Sequence, residues 1–120
     1  MPPTILICED EPSLRELVRA TLGSGYAFVD AVDGDEAARL IREIRPALIV
    51  LDLMLPRVSG LELLGDLRAD ESIRDTPVVV LTAWSHAEEA ALVAGADRFF
   101  AKPFEPDELK SAVDELLAER

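Results

Sequence analysis

Polar side chains that could do chemistry stand at the ends of four apolar stretches of this sequence. They are Glu9 and Asp10 after TILIC, Asp52 after ALIVL, Thr82 at the end of VVVLT and Lys102 at the end of RFFAK. If these stretches are strands of one sheet, three carboxylates crowd together and repel one another unless a cation lies among them. Oxygen ligands favour Mg²⁺ over zinc or copper, so the pattern predicts a magnesium site.

The lysine and the threonine extend this prediction from metal binding to phosphoryl transfer. Lys102 supplies a positive charge and Thr82 a hydroxyl at the same predicted edge of the sheet. Together with a metal ion, they match what the oxygens of a transferring phosphoryl group require around them. Asp52 is then the predicted nucleophile, and its attack on phosphorus forms an acyl phosphate.

The elements that must position these residues are indicated by alternating apolar and amphipathic stretches. Residues 4–8, 47–51 and 78–82 are almost without polar interruption, which is typical of parallel strands covered on both faces. Residues 26–32 mix apolar and polar positions, which suits an edge strand, and residues 98–102 form a short fifth strand. Five βα repeats predict an α/β, doubly wound sheet, whose functional residues lie beyond the carboxyl ends of the strands.

Helix boundaries are indicated by proline, glycine and serine. Pro12 opens the first predicted helix, Gly23 ends it, Pro46 limits the second and Pro106 opens the last. Ser59 and Ser85 are the predicted N-caps of the third and fourth helices. Two apolar stripes are expected to face the sheet: Leu14, Leu17, Val18, Thr21 and Leu22 on the first helix, and Ala87, Ala90, Ala91 and Ala94 on the fourth.

Composition limits the classes of function. The chain has 120 residues and a formal charge of −12, from 24 acidic and 12 basic side chains. That charge repels phosphate backbones and anionic lipid, so we expect neither direct nucleic-acid binding nor membrane association. The sequence shows no membrane-length apolar run and no secretory leader, and its one cysteine cannot form an internal disulfide. We therefore expect a single cytoplasmic domain over residues 1–120.

These motifs resemble the receiver domain of bacterial two-component response regulators over the whole chain. The acidic pair of that family falls on Glu9 and Asp10 in ILICEDE, where a glutamate replaces the more usual first aspartate. Its phosphorylated aspartate falls on Asp52 in LIVLDLMLPRVSG, and its hydroxyl residue falls on Thr82 in VVVLTAW. Its lysine, which precedes a cis proline, falls on Lys102 in AKPF. The chain is similar to the single-domain chemotaxis-type regulators, which implies a flavodoxin-like (βα)5 fold with a five-stranded parallel sheet of order 2-1-3-4-5.

The resemblance implies a role for each residue of the predicted site. Asp52 is the phosphoacceptor, and Lys102 acts beside it. In the family, one acid of the pair, the acceptor and a backbone carbonyl two residues after it hold the metal ion. Those positions are Asp10, Asp52 and Met54 here, and Glu9 would act on Mg²⁺ through a water molecule.

The resemblance also implies a switch and its partners. On phosphorylation Thr82 moves inward and the ring of Phe99 turns inward behind it, which changes the surface around the fourth helix, fifth strand and fifth helix. The phosphoryl group comes from a sensor histidine kinase or a histidine phosphotransfer protein. The response passes to a downstream protein or to a separate output domain. Such a receiver is no enzyme on other substrates, since it catalyses only its own phosphorylation and dephosphorylation.

Other classes of protein share parts of this pattern. A pseudo-receiver has the same fold and binds partners without accepting phosphate, but it typically lacks the acceptor, lysine or acidic pair that this chain keeps. A phosphatase of the haloacid dehalogenase type needs a second acid two residues after its nucleophile, where this chain has Met54. A dinucleotide-binding protein is disfavoured because no glycine-rich turn follows the first predicted strand. Covalent phosphorylation in the presence of Mg²⁺ distinguishes a receiver from a pseudo-receiver.

Overall fold

Strands and helices alternate along the chain in a computed structural model that describes residues 1–118. The strands are β1 (Thr4–Cys8), β2 (Ala27–Ala31), β3 (Leu48–Leu51), β4 (Val78–Thr82) and β5 (Arg98–Ala101). The helices are α1 (Pro12–Leu22), α2 (Gly34–Ile44), α3 (Gly60–Ala69), α4 (Glu88–Ala94) and α5 (Pro106–Ala118). All strand pairs are parallel and the sheet order is β2-β1-β3-β4-β5, which confirms the predicted fold. The predicted domain, residues 1–120, extends to Glu119 and Arg120, which lie outside the described residues.

The core lies in two layers, one on each face of the sheet. Successive residues of a strand point to opposite faces, so Leu6 and Cys8 join the layer under α2, α3 and α4. Ile5 and Ile7 join the layer under α1 and α5. Because both faces of β1, β3 and β4 are covered, these strands are apolar except at Thr4, which begins β1, and Thr82, which ends β4. This burial explains the uninterrupted apolar runs that identified them in the sequence.

The outer strands have a different environment from the central ones. β2 lies at one edge of the sheet, and Ala31 is its only buried residue. Its polar positions are therefore tolerated, which confirms the prediction of an edge strand. The structure trims three predicted strands, since β2 covers 27–31, β3 starts at Leu48 and β5 ends at Ala101. Among the described residues, no helix is long and apolar enough to cross a membrane.

The serine predictions were right for one helix and wrong for the other. Ser59 caps α3, and its hydroxyl accepts a hydrogen bond from the amide of Glu62 at 3.1 Å. Ser85 does not cap α4, because a single turn of 3-10 helix, Ser85–Ala87, comes first and α4 begins at Glu88. The residue at the N-cap of α4 is Ala87, which has no capping side chain. The sequence pattern assigned these residues to the fourth helix, but they form the 3-10 turn instead.

Two inward-facing predictions were also wrong. Ala90 is exposed, whereas Ala87 and Ala91 are buried, because the 3-10 turn changes the angular spacing before α4 begins. Leu17 of α1 is 46% exposed, although its neighbour Val18 is buried. The side chain of Leu17 lies at the margin of the α1 stripe and lines a small groove with Pro103 and Phe104.

We predict that Gly34→Ala destabilises the fold. Gly34 opens α2 against the loop after β3, and its amide donates to the carbonyl of Pro56 at 2.9 Å. A Cβ atom there would lie 2.4 Å from the Cβ of Val58 and 2.6 Å from its carbonyl oxygen. We expect the free energy of unfolding, measured by urea denaturation, to fall by about 1–3 kcal/mol because the two segments must separate.

The matched control is Gly65→Ala, at an open position of α3 where no atom lies within 4 Å of the added Cβ. That change should raise the free energy of unfolding by roughly 0.5–1 kcal/mol, since alanine favours the helix. Equal effects of the two substitutions would contradict the close approach at Gly34.

Candidate functional site

Two acidic residues are positioned by hydrogen bonds that extend the sheet beyond its strands. Asp52 follows β3, and its amide donates to the carbonyl of Cys8 at 3.0 Å. Glu9 follows β1, and its amide donates to the carbonyl of Ala31 at 3.0 Å. Both residues therefore keep the register of the ladder, and both are only 5% exposed. The structure therefore places both acids directly after the carboxyl ends of neighbouring strands.

Lys102 connects the two buried acids. Its Nζ donates to Oε1 of Glu9 at 2.7 Å and to Oδ2 of Asp52 at 3.1 Å. The lysine follows β5, and its amide donates to the carbonyl of Thr82 at 2.8 Å. The peptide bond to Pro103 is cis, as the resemblance implied. The ammonium thus reaches across from the far edge of the sheet to the acids after β1 and β3.

The second oxygen of each buried carboxylate also has a partner. Oε2 of Glu9 accepts from the amide of Glu11 at 3.1 Å, and Oδ1 of Asp52 accepts from the amide of Met54 at 3.0 Å. Hydrogen bonds to backbone N–H groups stabilise a carboxylate where water is excluded. The two acids are held at both oxygens, and their orientation relative to each other is fixed.

Burial and the lysine act on the ionisation of this cluster in opposite directions. Burial raises the pKa of the Glu9 carboxyl above its ordinary value, and the hydrogen bond from Lys102 offsets only part of that rise. Burial alone would lower the pKa of the Lys102 ammonium, but its hydrogen bonds to Glu9 and Asp52 outweigh burial and raise it. The lysine therefore stays positively charged at neutral pH and compensates the two acids.

The acidic cluster fits a hard divalent cation. Glu9, Asp10 and Asp52 can each offer a carboxylate oxygen, and these oxygens all lie within 4.8 Å of one another. Asp10 is exposed, so one side of the cluster is open to solvent. Such a set of oxygen donors suits Mg²⁺, which binds a few carboxylates and keeps water in its remaining positions. Met54 follows close by, and the role of its carbonyl as a ligand stays a prediction.

Thr82 and Phe99 lie on adjacent strands, β4 and β5. Thr82 is fully buried, and its hydroxyl oxygen accepts from the amide of Trp84 at 3.3 Å. Phe99 is opposite Val80, and its half-buried ring packs against the layer that α4 covers. It also lines a groove of about 610 Å³ beside Ser85 and the start of α4. Phe100 packs in the other layer, so Phe99 is the ring on the α4 side.

One contact to the cluster was not indicated by the sequence. Arg15 of α1 donates from Nη1 to the backbone carbonyl of Glu9 at 2.8 Å. An arginine in the second turn of an amphipathic helix is ordinarily a solvated residue, so its type and spacing carry no signal. Only the packing of α1 beside the end of β1 brings the two groups together.

A sequence model of the response regulator receiver domain matches residues 5–114 of this chain. Among curated proteins, the DNA-binding dual master transcriptional regulator RpaA of Synechocystis is 40% identical over 118 residues. That match covers 96% of this chain and 49% of RpaA, so the chain spans about half the length of this relative. The match to MtrA of Mycolicibacterium smegmatis covers 48% of that protein, and the match to MprA of Mycolicibacterium vanbaalenii covers 51%.

Solved structures of similar chains agree along almost the whole sequence. A response regulator from Chloroflexus aurantiacus is 35% identical with a TM-score of 0.92, and the match covers 98% of this chain and 99% of that one. The receiver domain of the sensor histidine kinase PA1611 from Pseudomonas aeruginosa is 31% identical with a TM-score of 0.87, over 98% of this chain and 99% of that one. The second structure has a magnesium ion coordinated in its active-site cleft.

We predict that Lys102→Met destabilises the protein in a pH-dependent way. Removing the ammonium leaves two buried carboxylates without their cation, so the free energy of unfolding at pH 7 should fall by about 3 kcal/mol. The pKa of Glu9, already raised by burial, would rise further. A carboxyl whose pKa is higher in the folded state binds more protons when folded, so the loss should shrink as the pH falls toward its ordinary pKa.

Urea denaturation at a series of pH values measures this effect. Lys110→Met is the matched control, because Lys110 forms an exposed pair with Asp114 and its side chain is 49% exposed. That substitution should cost less than about 1 kcal/mol. Equal losses in the two variants, or a loss at Lys102 that grows as the pH falls, would contradict the compensating role of the lysine.

Proposed function

This chain belongs to the response regulator receiver domain family, and we propose that it is a phosphoryl-accepting signalling switch whose acceptor is Asp52. The observation that carries this proposal is the contact of one ammonium, that of Lys102, with both Glu9 and Asp52 at 2.7 and 3.1 Å. The acceptor and its acidic partner are buried, and the cation is partly buried beside them, next to an exposed acid, Asp10. This arrangement supports chemistry on an anionic group that enters from the solvent side.

In the proposed reaction Asp52 is the nucleophile. One of its carboxylate oxygens forms a bond to phosphorus while the bond from phosphorus to the donor's histidine nitrogen breaks, and that nitrogen keeps the electron pair. The amide of Met54 orients Oδ1, and the ammonium of Lys102 lies at Oδ2. The ammonium is therefore placed to stabilise negative charge on the phosphoryl oxygens during transfer.

Asp10 and Asp52 would hold Mg²⁺ together with the backbone carbonyl of Met54, and Glu9 would act through water. When bound, the metal ion offsets negative charge on the phosphoryl oxygens and orients the reacting groups. The open side at Asp10 leaves room for water and for the phosphoryl group. In this proposal Glu9 keeps Lys102 in place as well as contributing charge to the metal site.

The proposed switch couples the acceptor to the surface formed by α4, β5 and α5. The hydroxyl of Thr82 is buried and has its oxygen on the amide of Trp84. Its proton can be donated to a phosphoryl oxygen, and an inward shift of Thr82 would vacate space on the α4 side. The half-buried ring of Phe99 lies on that side and can fill the space, which favours a second arrangement of the surface.

The proposed partners follow from this chemistry. A sensor histidine kinase or a histidine phosphotransfer protein would supply the phosphoryl group, and a downstream protein or a separate output domain would read the switched surface. The formal charge of −12 argues against direct nucleic-acid binding by these residues. We propose that the domain works in the cytoplasm and catalyses only its own phosphorylation and dephosphorylation.

Acetyl phosphate with Mg²⁺ should add one phosphoryl group to the protein, because the acceptor, lysine and acidic pair are all present. Intact mass spectrometry measures the gain, and it should be absent without Mg²⁺ and in Asp52→Asn. Asp66→Asn, at an exposed acid of α3, is the matched control and should be phosphorylated like the wild type. No gain with acetyl phosphate or with histidine-kinase donors would contradict the proposal and favour a pseudo-receiver.

Thr82→Val should separate phosphorylation from switching. Valine keeps the β-branched shape in the buried position but has no hydroxyl to donate, so the phosphoryl group should still be gained, about tenfold more slowly or worse. Hydrogen exchange in α4 and β5 should change on phosphorylation of the wild type and not of this variant. Thr76→Val, in the loop before β4, is the control and should behave as the wild type. An unaltered exchange response in Thr82→Val would contradict the proposed coupling.

A further inference from the structure

We infer that Arg15 is a positioning residue for the cation site, because it holds the backbone from which Glu9 and Asp10 project. Its Nη1 donates to the carbonyl oxygen of Glu9 at 2.8 Å, immediately before Asp10. This inference rests on the metal binding that is part of the proposed function. Among the described residues, Arg15 forms no hydrogen bond or ion pair with a carboxylate of the cluster, so its action is on the backbone.

The guanidinium of Arg15 is fixed from its other side by Asp30 of β2. Nε of Arg15 lies 3.3 Å from Oδ2 of Asp30, and Nη1 of Arg19 lies 2.5 Å from Oδ1 of the same carboxylate. The two arginines are one helical turn apart and face the same strand. The Arg15 side chain is 14% exposed, so it is packed between α1 and the edge of the sheet rather than extended into solvent.

Charge, more than hydrogen-bond geometry, keeps Arg15 beside Asp30. Among the described residues, Nε of Arg15 is the buried side-chain atom that lacks a hydrogen-bond partner. A buried donor left without an aligned acceptor is unfavourable unless another contact of the same group compensates it. The contact that compensates it here is the bond to the Glu9 carbonyl. The side chain is therefore placed for that carbonyl and not for the best pairing with Asp30.

The Glu9 carbonyl lies just where the chain leaves the sheet. The amide of Glu9 still pairs with Ala31, and the next amide along the chain that bonds to the cluster is that of Glu11, to Oε2 of Glu9. Between these two points the sheet no longer provides a hydrogen-bond donor for the Glu9 carbonyl, and Arg15 provides it instead. The position of Asp10, the exposed acid, therefore depends on how firmly the backbone between Glu9 and Glu11 is held. Loss of Arg15 should let the Asp10 carboxylate leave the position where the three acids meet.

Positioning and charge predict opposite results when Arg15 is removed. A guanidinium near three carboxylates repels a metal cation, so a role through charge alone means that Arg15→Ala binds Mg²⁺ more tightly. A positioning role means that it binds Mg²⁺ more weakly, because the ligands are no longer held together. Arg15→Lys keeps the charge but not the planar fork that reaches the Glu9 carbonyl and Asp30 together. Charge alone predicts no effect of that change, and positioning predicts weaker binding.

The experiment is a titration of the full chain with MgCl₂ at constant ionic strength. Isothermal titration calorimetry gives the Kd, and the fluorescence of Trp84, which is the only tryptophan and is 44% exposed, provides a second readout. We expect Arg15→Ala to raise the Kd about tenfold and Arg15→Lys to raise it by a smaller factor. Arg39→Ala removes the same charge from an exposed pair with Glu43 and should leave the Kd within twofold of the wild type.

Amide hydrogen exchange of residues 9–11 supplies a readout independent of metal. It should become faster in Arg15→Ala, while exchange in β3 and β4 stays unchanged. Arg15→Lys carries the test if the alanine variant does not fold. Wild-type binding of Mg²⁺ with an unchanged or lower Kd in both Arg15 variants would overturn the inference alone. Failure of the wild type to bind Mg²⁺ would overturn it together with the metal-dependent part of the proposed function.

Discussion

The placement of one ammonium between two buried carboxylates constrains much of this structure. A buried charge is highly unfavourable unless an opposite charge and hydrogen bonds compensate it, so Glu9, Asp52 and Lys102 must meet within hydrogen-bond distance. They follow three different strands, β1, β3 and β5. In the observed sheet order β3 lies beside β1, and β4 alone separates β3 from β5, which brings the three strand ends close together.

That requirement explains the character of the strands between these charges. β4 lies between the strand that precedes Asp52 and the strand that precedes Lys102, and each of its five residues is buried. Its last residue, Thr82, is the most buried polar residue of the candidate site. The backbone carbonyl of Thr82 also accepts a hydrogen bond from the amide of Lys102. A hydroxyl is tolerated there because the amide of Trp84 donates to its oxygen. The threonine therefore links the backbone of the lysine to the interior of the sheet.

Much of the fold could be predicted because the signals for parallel strands are local. Apolar runs end at Glu9, Asp52 and Thr82, and parallel strands bring such ends to one edge. The errors arose where tertiary packing decides. A 3-10 turn before α4 displaced the expected cap at Ser85 and the inward position of Ala90. Neither residue type nor spacing indicates that turn.

The candidate site divides in the same way. Its acids and its lysine could be predicted, because the sequence shows where the strands end and which like charges would repel one another there. The contact of Arg15 with a main-chain carbonyl depends on how α1 packs against β2, and no local pattern encodes that packing. The carbonyl of Met54 and the movement of Phe99 were implied by resemblance alone, and they stay predictions.

The two adjacent phenylalanines of β5 lie on opposite faces of the sheet, so the sheet separates their surroundings. Phe99 packs in the layer under α4, and Phe100 packs in the layer under α1 and α5. A rearrangement around Phe99 would change the layer under α4 directly, and it would reach α5, which also borders the proposed switch surface, only through β5. The face carrying α1 would then look the same to a visiting protein before and after the rearrangement. Recognition on that side and readout on the other could be tuned by mutation separately, with little interference between them.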